Sequence, residues 1–176
     1  RTMNDILDKI NEYKGGLEKL IAKIPGFKGY IALNDRRKSD KLLREMIVRE
    51  YEVQYQRLSS VQRALISAGE LGAVGELENA AIKLRQFIDR VRTASYGYAG
   101  LFDAIRIRET ELETVYRFDA MLLDKNTEIA RAIDNVEASI GTDGQAAAIR
   151  NLITHAQEAI VAFNKRSDIM KGIAIQ

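Results

Sequence analysis

The chain has 176 residues, of which 46% are hydrophobic and 30% are charged, with one proline, no cysteine and no tryptophan. This composition excludes a disordered tail, a collagen-like repeat, a disulfide scaffold, a zinc–thiolate site and cysteine catalysis. The net charge of +2 excludes attraction of the whole protein to nucleic acid, and no apolar run approaches the roughly 18 residues of a membrane span. We therefore expect one helical domain over residues 1–176, with the cytoplasm as its default location.

The first predicted helix has apolar residues at steps of three and four from Ile6 to Ile24. Gly15 and Gly16 interrupt it, and because two glycines cost about 2 kcal/mol of helix propensity, we expect a kink or break there. Pro25 ends the helix. The aromatic residues that follow, Phe27 and Tyr30, are expected to fold back over the end of a bundle rather than rest on a membrane or stack on bases.

The second predicted helix runs from about Asn34 to Ala68, with an apolar stripe from Ile47 to Leu65 at coiled-coil spacing. The turn that we expect after it contains three glycines: Gly69, Gly72 and Gly75. The third helix has the most regular stripe, from Val74 to Val91, and ends at two glycines within residues 95–100.

The fourth predicted helix runs from about Phe102 to Ile140, and the turn over residues 141–144 leads to a last helix that buries its face from Ile149 to Phe163. Long helices joined by short turns predict an all-α fold. We expect an elongated antiparallel bundle of four or five long helices with coiled-coil-like packing.

A catalytic site is not apparent in the sequence. A ferritin-like di-metal centre needs two Glu-x-x-His pairs, whereas the single histidine, His155, follows Leu152 by three positions. His155 is interpreted as a residue at the edge of the buried face. The glycines of residues 69–75 lack the following Lys and Ser or Thr of a phosphate loop. We therefore expect no catalytic residues, no metal site, no cofactor and no enzymatic activity.

Two polar residues lie on the apolar stripe of the fourth helix. Asp119 is flanked by Phe118 and Leu122, and Asn126 follows one heptad later, where coiled coils place polar residues that set the register. We interpret the two as structural, forming either a polar core layer or a pair with an arginine of a neighbouring helix. The alternative is a ligand pocket or catalytic site between helices, around Asp119, Asn126 and Tyr116, with His155 as a further candidate.

Charge is segregated along the chain. Residues 28–49 contain seven basic and three acidic residues, while residues 101–140 contain five basic and nine acidic residues. The basic segment lies at the start of the second helix, where the helix dipole disfavours cations, so acidic residues of the fourth helix or an external anion are expected to compensate it. The alternative is a solvated helix end that projects past the core. The candidate anion-binding residues are Lys28, Arg36, Arg37, Lys38, Lys41 and Arg44.

The heptad spacing, the polar stripe residues and the opposed charge blocks favour a non-enzymatic protein that acts by self-association or by contact with another helical protein. The alternative is binding of an anionic surface, either nucleic acid or acidic lipid, through the basic start of the second helix. Steep weakening of that binding with salt would support the alternative.

Overall fold

The computed structural model describes residues 15–32, 36–94 and 109–175, with side chains at 15–29, 41–94 and 113–169. Six helices and no strands are present in these ranges, which confirms the all-α class. Their bounds are Gly16–Lys23 for α1, Phe27–Ala32 for α2, Arg36–Ser67 for α3, Leu71–Thr93 for α4, Glu109–Ser139 for α5 and Gln145–Ile175 for α6. The finer expectation of an elongated bundle with coiled-coil-like packing stays a prediction.

The four long helices surround a common core. α3 packs against α4 and α5, and α6 packs against the same two helices from the other side. α3 and α4 are antiparallel, because Gln62 contacts Glu78 near their turn while Glu52 contacts Arg92 far from it. α1 packs against α5, and α2 packs against α3.

Helices that are neighbours in space but not in sequence run parallel. Lys83 contacts Gln157 and Arg90 contacts Asn164, so α4 and α6 keep a constant offset of 74 residues. α3 and α5 are also parallel, with contacts that include a hydrogen bond from the Tyr51 hydroxyl to the Leu122 carbonyl. α4 and α5, although consecutive in the described chain, therefore lie at opposite corners of the four-helix arrangement.

The apolar stripes that the sequence predicts for the long helices face this core. Every stripe residue from Ile47 to Leu65 in α3 and from Ile149 to Phe163 in α6 is buried. Three aromatic rings link α3, α4 and α6. The ring centroid of Tyr51 lies 4.2 Å from that of Phe87, which lies 6.0 Å from that of Phe163. Aromatic pairs at these separations add to the burial of apolar area that holds the helices together.

The glycines differ in backbone conformation and in whether they lie in a turn or within a helix. Gly15, which precedes α1, has φ 73°, a left-handed conformation that glycine adopts without strain. Gly72 and Gly75 were expected in the turn after α3, but they lie inside the first two turns of α4, and only Gly69 occupies the turn with a positive φ. One left-handed residue suffices to reverse the chain, so the helix restarts at Leu71 despite its two glycines.

The segment after Pro25 forms a short helix that the sequence did not predict. Phe27 opens α2 and is fully buried, with its ring 6.0 Å from that of Tyr116 in an edge-on arrangement. This placement agrees with the expectation that Phe27 folds back on the helices. The side chain of Tyr30 lies outside the described residues.

No helix among the described residues combines the length and the apolar character that crossing a membrane requires. The cytoplasmic location stays a prediction.

Candidate functional site

An open groove with charged walls lies between the first half of α3 and the end of α4. Its volume is about 500 Å³. The residues that line it are Lys41, Arg44, Glu45, Val48, Arg49 and Glu52 of α3 and Arg92 of α4. These described residues comprise four cations and two carboxylates.

Two of the four cations face a carboxylate of the groove. Lys41 Nζ lies 4.0 Å from Glu45 Oε1, one helical turn away, and the Arg92 guanidinium contacts the Glu52 carboxylate across the two helices. Arg49 is exposed and makes no ion pair within the part of the chain that the structure describes. Among the described lining residues, cations outnumber carboxylates by two.

The structure places the candidate anion-binding residues in different environments. Lys41 and Arg44 line the groove, whereas Lys28 is exposed in α2, and the side chains of Arg36, Arg37 and Lys38 lie outside the described residues. Sequence analysis omitted Arg49 and Arg92 from the candidates. Arg49 belonged to the basic segment, but only the pairing of α3 with α4 brings Arg92 beside it.

The acidic residues of α5 find cations elsewhere. Asp124 pairs with Lys23 of α1 at 2.7 Å, and Asp134 pairs with Arg57, which also lies 3.5 Å from Glu137. Lys23 and Arg57 are both outside the basic segment 28–49. The described ion pairs of α5 therefore do not neutralise the groove, and compensation of one charge block by the other stays a prediction.

The two polar stripe residues of α5 are buried. Asp119 is 1% exposed and accepts a hydrogen bond of 2.8 Å from the equally buried Arg166 of α6. Asn126 is also buried, and its Oδ1 accepts no hydrogen bond from the described residues. Both residues are thus polar side chains within the buried core, and the Asp119–Arg166 pair joins α5 to α6.

A second charged cluster joins the same two helices nearer the middle. Lys125 Nζ lies 2.8 Å from His155 Nδ1 and 3.0 Å from Glu128 Oε2, and it also contacts the Glu158 carboxylate. Because an ammonium only donates, Nδ1 accepts and the ring proton lies on Nε2. The histidine and the two glutamates are residue types that bind divalent cations, and the Lys125 ammonium lies among their ligand atoms.

The Tyr51 hydroxyl is a buried titratable group in the core. Burial raises the pKa of Tyr51 well above 10, and repulsion from Glu50 and Glu128 acts in the same direction. The hydroxyl donates to the Leu122 carbonyl at 2.7 Å, which accounts for a polar atom at this depth. Its role is structural, since it ties α3 to α5.

Comparison of the chain with protein-family models, with curated proteins and with solved structures found no match.

Proposed function

We propose that the chain is a non-enzymatic protein that acts through self-association, as a scaffold or adaptor built on an elongated, coiled-coil-like helical bundle. The support is an apolar stripe on the outer face of α4, made of Leu71, Gly75 and Ile82. We name these three residues the α4 stripe. The proposal commits to a second copy of this chain as the partner.

The α4 stripe combines large exposed side chains with room for a close neighbour. Leu71 is 67% exposed and Ile82 is 56% exposed. They are eleven positions apart, which is three helical turns, so both side chains point in nearly the same direction. Gly75 lies between them, and a Cβ built there would meet nothing within 4 Å. A second helix would therefore meet two apolar side chains, with Gly75 and the exposed Glu78 on the face between them.

The stripe is complementary to itself. If two copies pack their α4 helices antiparallel about a two-fold axis, Leu71 of each copy faces Ile82 of the other, since a two-fold interface pairs each residue reciprocally. In the same arrangement Gly75 of each copy faces Glu78 of the other, so the glycine leaves room for the glutamate side chain. Ile66, which is 53% exposed near the α3–α4 turn, extends the apolar surface at its edge.

Solvent exposure of the stripe carries a cost that association would remove. Burying a large aliphatic side chain contributes about 1.5–3 kcal/mol. A two-fold contact buries the stripe residues of both copies, so each position contributes twice. The two glycines in the first turns of α4 each cost about 1 kcal/mol relative to alanine. A surface role explains why a helix would keep both features.

The test is absolute mass by light scattering behind a sizing column, at about 50 mM and about 500 mM salt. We expect a dimer at both concentrations, because an apolar contact is not screened by salt. Ile82→Lys should raise the dissociation constant about 100-fold, from two lost aliphatic contacts. The matched control is Val53→Lys, since Val53 is 51% exposed but lies about 140° around α3 from Ile66.

Two results would contradict the proposal. One is a monomer at both salt concentrations and at about 200 µM protein, well above the micromolar affinity typical of weak specific contacts. The other is a dimer that Ile82→Lys and Val53→Lys weaken equally. A dimer that dissociates only at high salt would place the dimer interface on charged faces of the helices. That result would also exclude the α4 stripe as the dimer interface.

A further inference from the structure

We propose that Glu128 of α5 and His155 and Glu158 of α6 bind a divalent transition-metal ion, which displaces the ammonium of Lys125 from among them. We name these three residues the ligand triad. The expectation of no metal site rested on the absence of thiolates and of paired Glu-x-x-His motifs, neither of which a single-ion site requires. The proposal is independent of self-association, because the triad lies between α5 and α6 whereas the α4 stripe faces outward from α4.

The ligand atoms of the triad converge on one point. His155 Nδ1 lies 3.4 Å from Glu128 Oε2 and 3.9 Å from Glu158 Oε2, and the three ligand atoms all lie within 4.8 Å of one another. In a tetrahedral zinc site with bonds of about 2.0–2.1 Å, neighbouring ligand atoms are about 3.3–3.4 Å apart. Small side-chain rotations would therefore bring the triad to the spacing of a metal site and leave a fourth position for water.

The Lys125 ammonium marks the point at which the three ligand atoms meet. Its Nζ lies 2.8 Å from His155 Nδ1 and 3.0 Å from Glu128 Oε2, and it also contacts the Glu158 carboxylate. Because an ammonium only donates, the lone pair of Nδ1 is directed at the cation and the ring proton lies on Nε2. The same tautomer is needed for a metal ion bound at Nδ1, so the triad already has a cation in the place that the metal would take.

Charge favours exchange of the ammonium for a divalent ion. Within this group of four side chains, two carboxylates face one ammonium, which leaves one negative charge that a divalent ion would neutralise. The flexible stem of Lys125 allows its ammonium to move into water. The triad is also open to an entering ion, since the side chain of Glu128 is 51% exposed.

The mixed ligand set selects the kind of metal. Imidazole nitrogen suits zinc and other late transition metals, whereas Mg²⁺ prefers a shell made of oxygen atoms. We therefore take Zn²⁺ as the probe and Mg²⁺ as the comparison. A metal ion held by Glu128 on one side and by His155 and Glu158 on the other would link α5 to α6, so its binding should stabilise the folded protein.

The experiment is titration calorimetry of the full chain, without an affinity tag, with zinc chloride at slightly alkaline pH, because metal ligands must be deprotonated. We expect a dissociation constant of about 1–100 µM for one Zn²⁺, and no binding of Mg²⁺ at about 1 mM. At a Zn²⁺ concentration about 100 times the dissociation constant, the melting temperature should rise by about 5–10 °C.

The chain contains one histidine, so His155→Gln removes every imidazole from the protein. This variant should weaken Zn²⁺ binding at least about 100-fold, the upper end of what loss of a group that merely orients a ligand costs. The matched control is Asp168→Asn, at an exposed carboxylate of the same helix, which should change the affinity less than about twofold. Circular dichroism verifies that each variant is folded.

Lys125→Met gives a prediction of opposite sign. It removes the ammonium that competes with the metal ion, so it should strengthen Zn²⁺ binding about tenfold, the effect of one charged hydrogen bond that the metal no longer has to break. A triad that served only to pair with Lys125 would gain no affinity for Zn²⁺ from this change.

Nuclear magnetic resonance of the unsubstituted protein supplies a readout that does not depend on the folding of any variant. The ¹⁵N resonances of the single imidazole belong to His155. Zn²⁺ should shift the Nδ1 resonance, while Nε2 keeps its proton.

Three results would overturn the proposal. The first is no binding of Zn²⁺ at about 100 µM, with the His155 resonances unchanged. The second is equal affinity of His155→Gln and Asp168→Asn for Zn²⁺, which would assign the ion to surface carboxylates. The third is a folded Lys125→Met that binds Zn²⁺ no more tightly than the unsubstituted protein.

Discussion

Replacing Arg166 by methionine should lower the free energy of unfolding by about 3–5 kcal/mol, because it leaves the Asp119 carboxylate buried without its arginine. Both side chains are about 1% exposed, so water cannot replace the lost partner. Methionine keeps much of the volume of arginine, which limits any cavity. The loss would be a large fraction of the roughly 5–15 kcal/mol that holds a typical domain together.

The companion variant Asp119→Leu/Arg166→Met removes both charges and should recover most of the stability, because well-packed apolar residues often replace a buried ion pair at no cost. The assay is urea unfolding at neutral pH, followed by circular dichroism, with unchanged dependence on denaturant as evidence that both states are comparable. Arg150→Met, at an exposed position of the same helix, is the control and should change stability by less than about 0.5 kcal/mol.

The reasoning fails if Arg166→Met costs less than about 1 kcal/mol, since an uncompensated buried carboxylate would then carry no penalty. It also fails if the double variant loses as much stability as the two single variants added together. In that case the two residues would act separately rather than as a pair.

Three further predictions concern single positions. Tyr51→Phe should cost about 1 kcal/mol at neutral pH through the lost hydrogen bond. Because the folded pKa of Tyr51 lies well above its unfolded value of 10, the native protein should lose stability as pH rises above 10, and Tyr51→Phe should reduce that loss in urea unfolding. Gly16→Ala should destabilise the protein by about 1–3 kcal/mol, because the added Cβ would lie 2.9 Å from the Arg117 backbone. Gly72→Ala, where an added Cβ meets nothing within 4 Å, should instead raise the melting temperature through about 1 kcal/mol of helix propensity, and the opposite order would refute this reading. Asn126→Leu should raise the urea midpoint by removing a buried amide oxygen that accepts no hydrogen bond within the described chain, and a loss above 1 kcal/mol would assign that oxygen a partner.

The helices and their buried faces were predictable because both depend on neighbours within two turns of the chain. A single proline and an apolar repeat of three and four suffice to place α3 within two residues of its observed bounds. The same repeat identifies the buried face of α6 from Ile149 to Phe163. It also marks Asp119 as a buried acid, since the residue lies on the apolar stripe.

Rules based on local sequence failed where the environment of a residue depends on the helix that packs against it. Gly16 and Gly75 look alike in sequence, yet one packs against the backbone of α5 and the other faces open space. The glycines at 72 and 75 suggested a turn, but packing of the apolar face of α4 outweighs their cost of about 1 kcal/mol each.

Only the tertiary structure decided which helices meet. Antiparallel packing of α5 with α6 brings Arg166 to Asp119, and parallel packing of α3 with α5 brings Arg57 to Asp134. Antiparallel packing of α3 with α4 brings Arg92 to the same groove as Arg49. An amphipathic helix specifies which of its faces is buried but not which neighbour buries it. That choice depends on the free energy of the whole packed core, which no stretch of sequence contains.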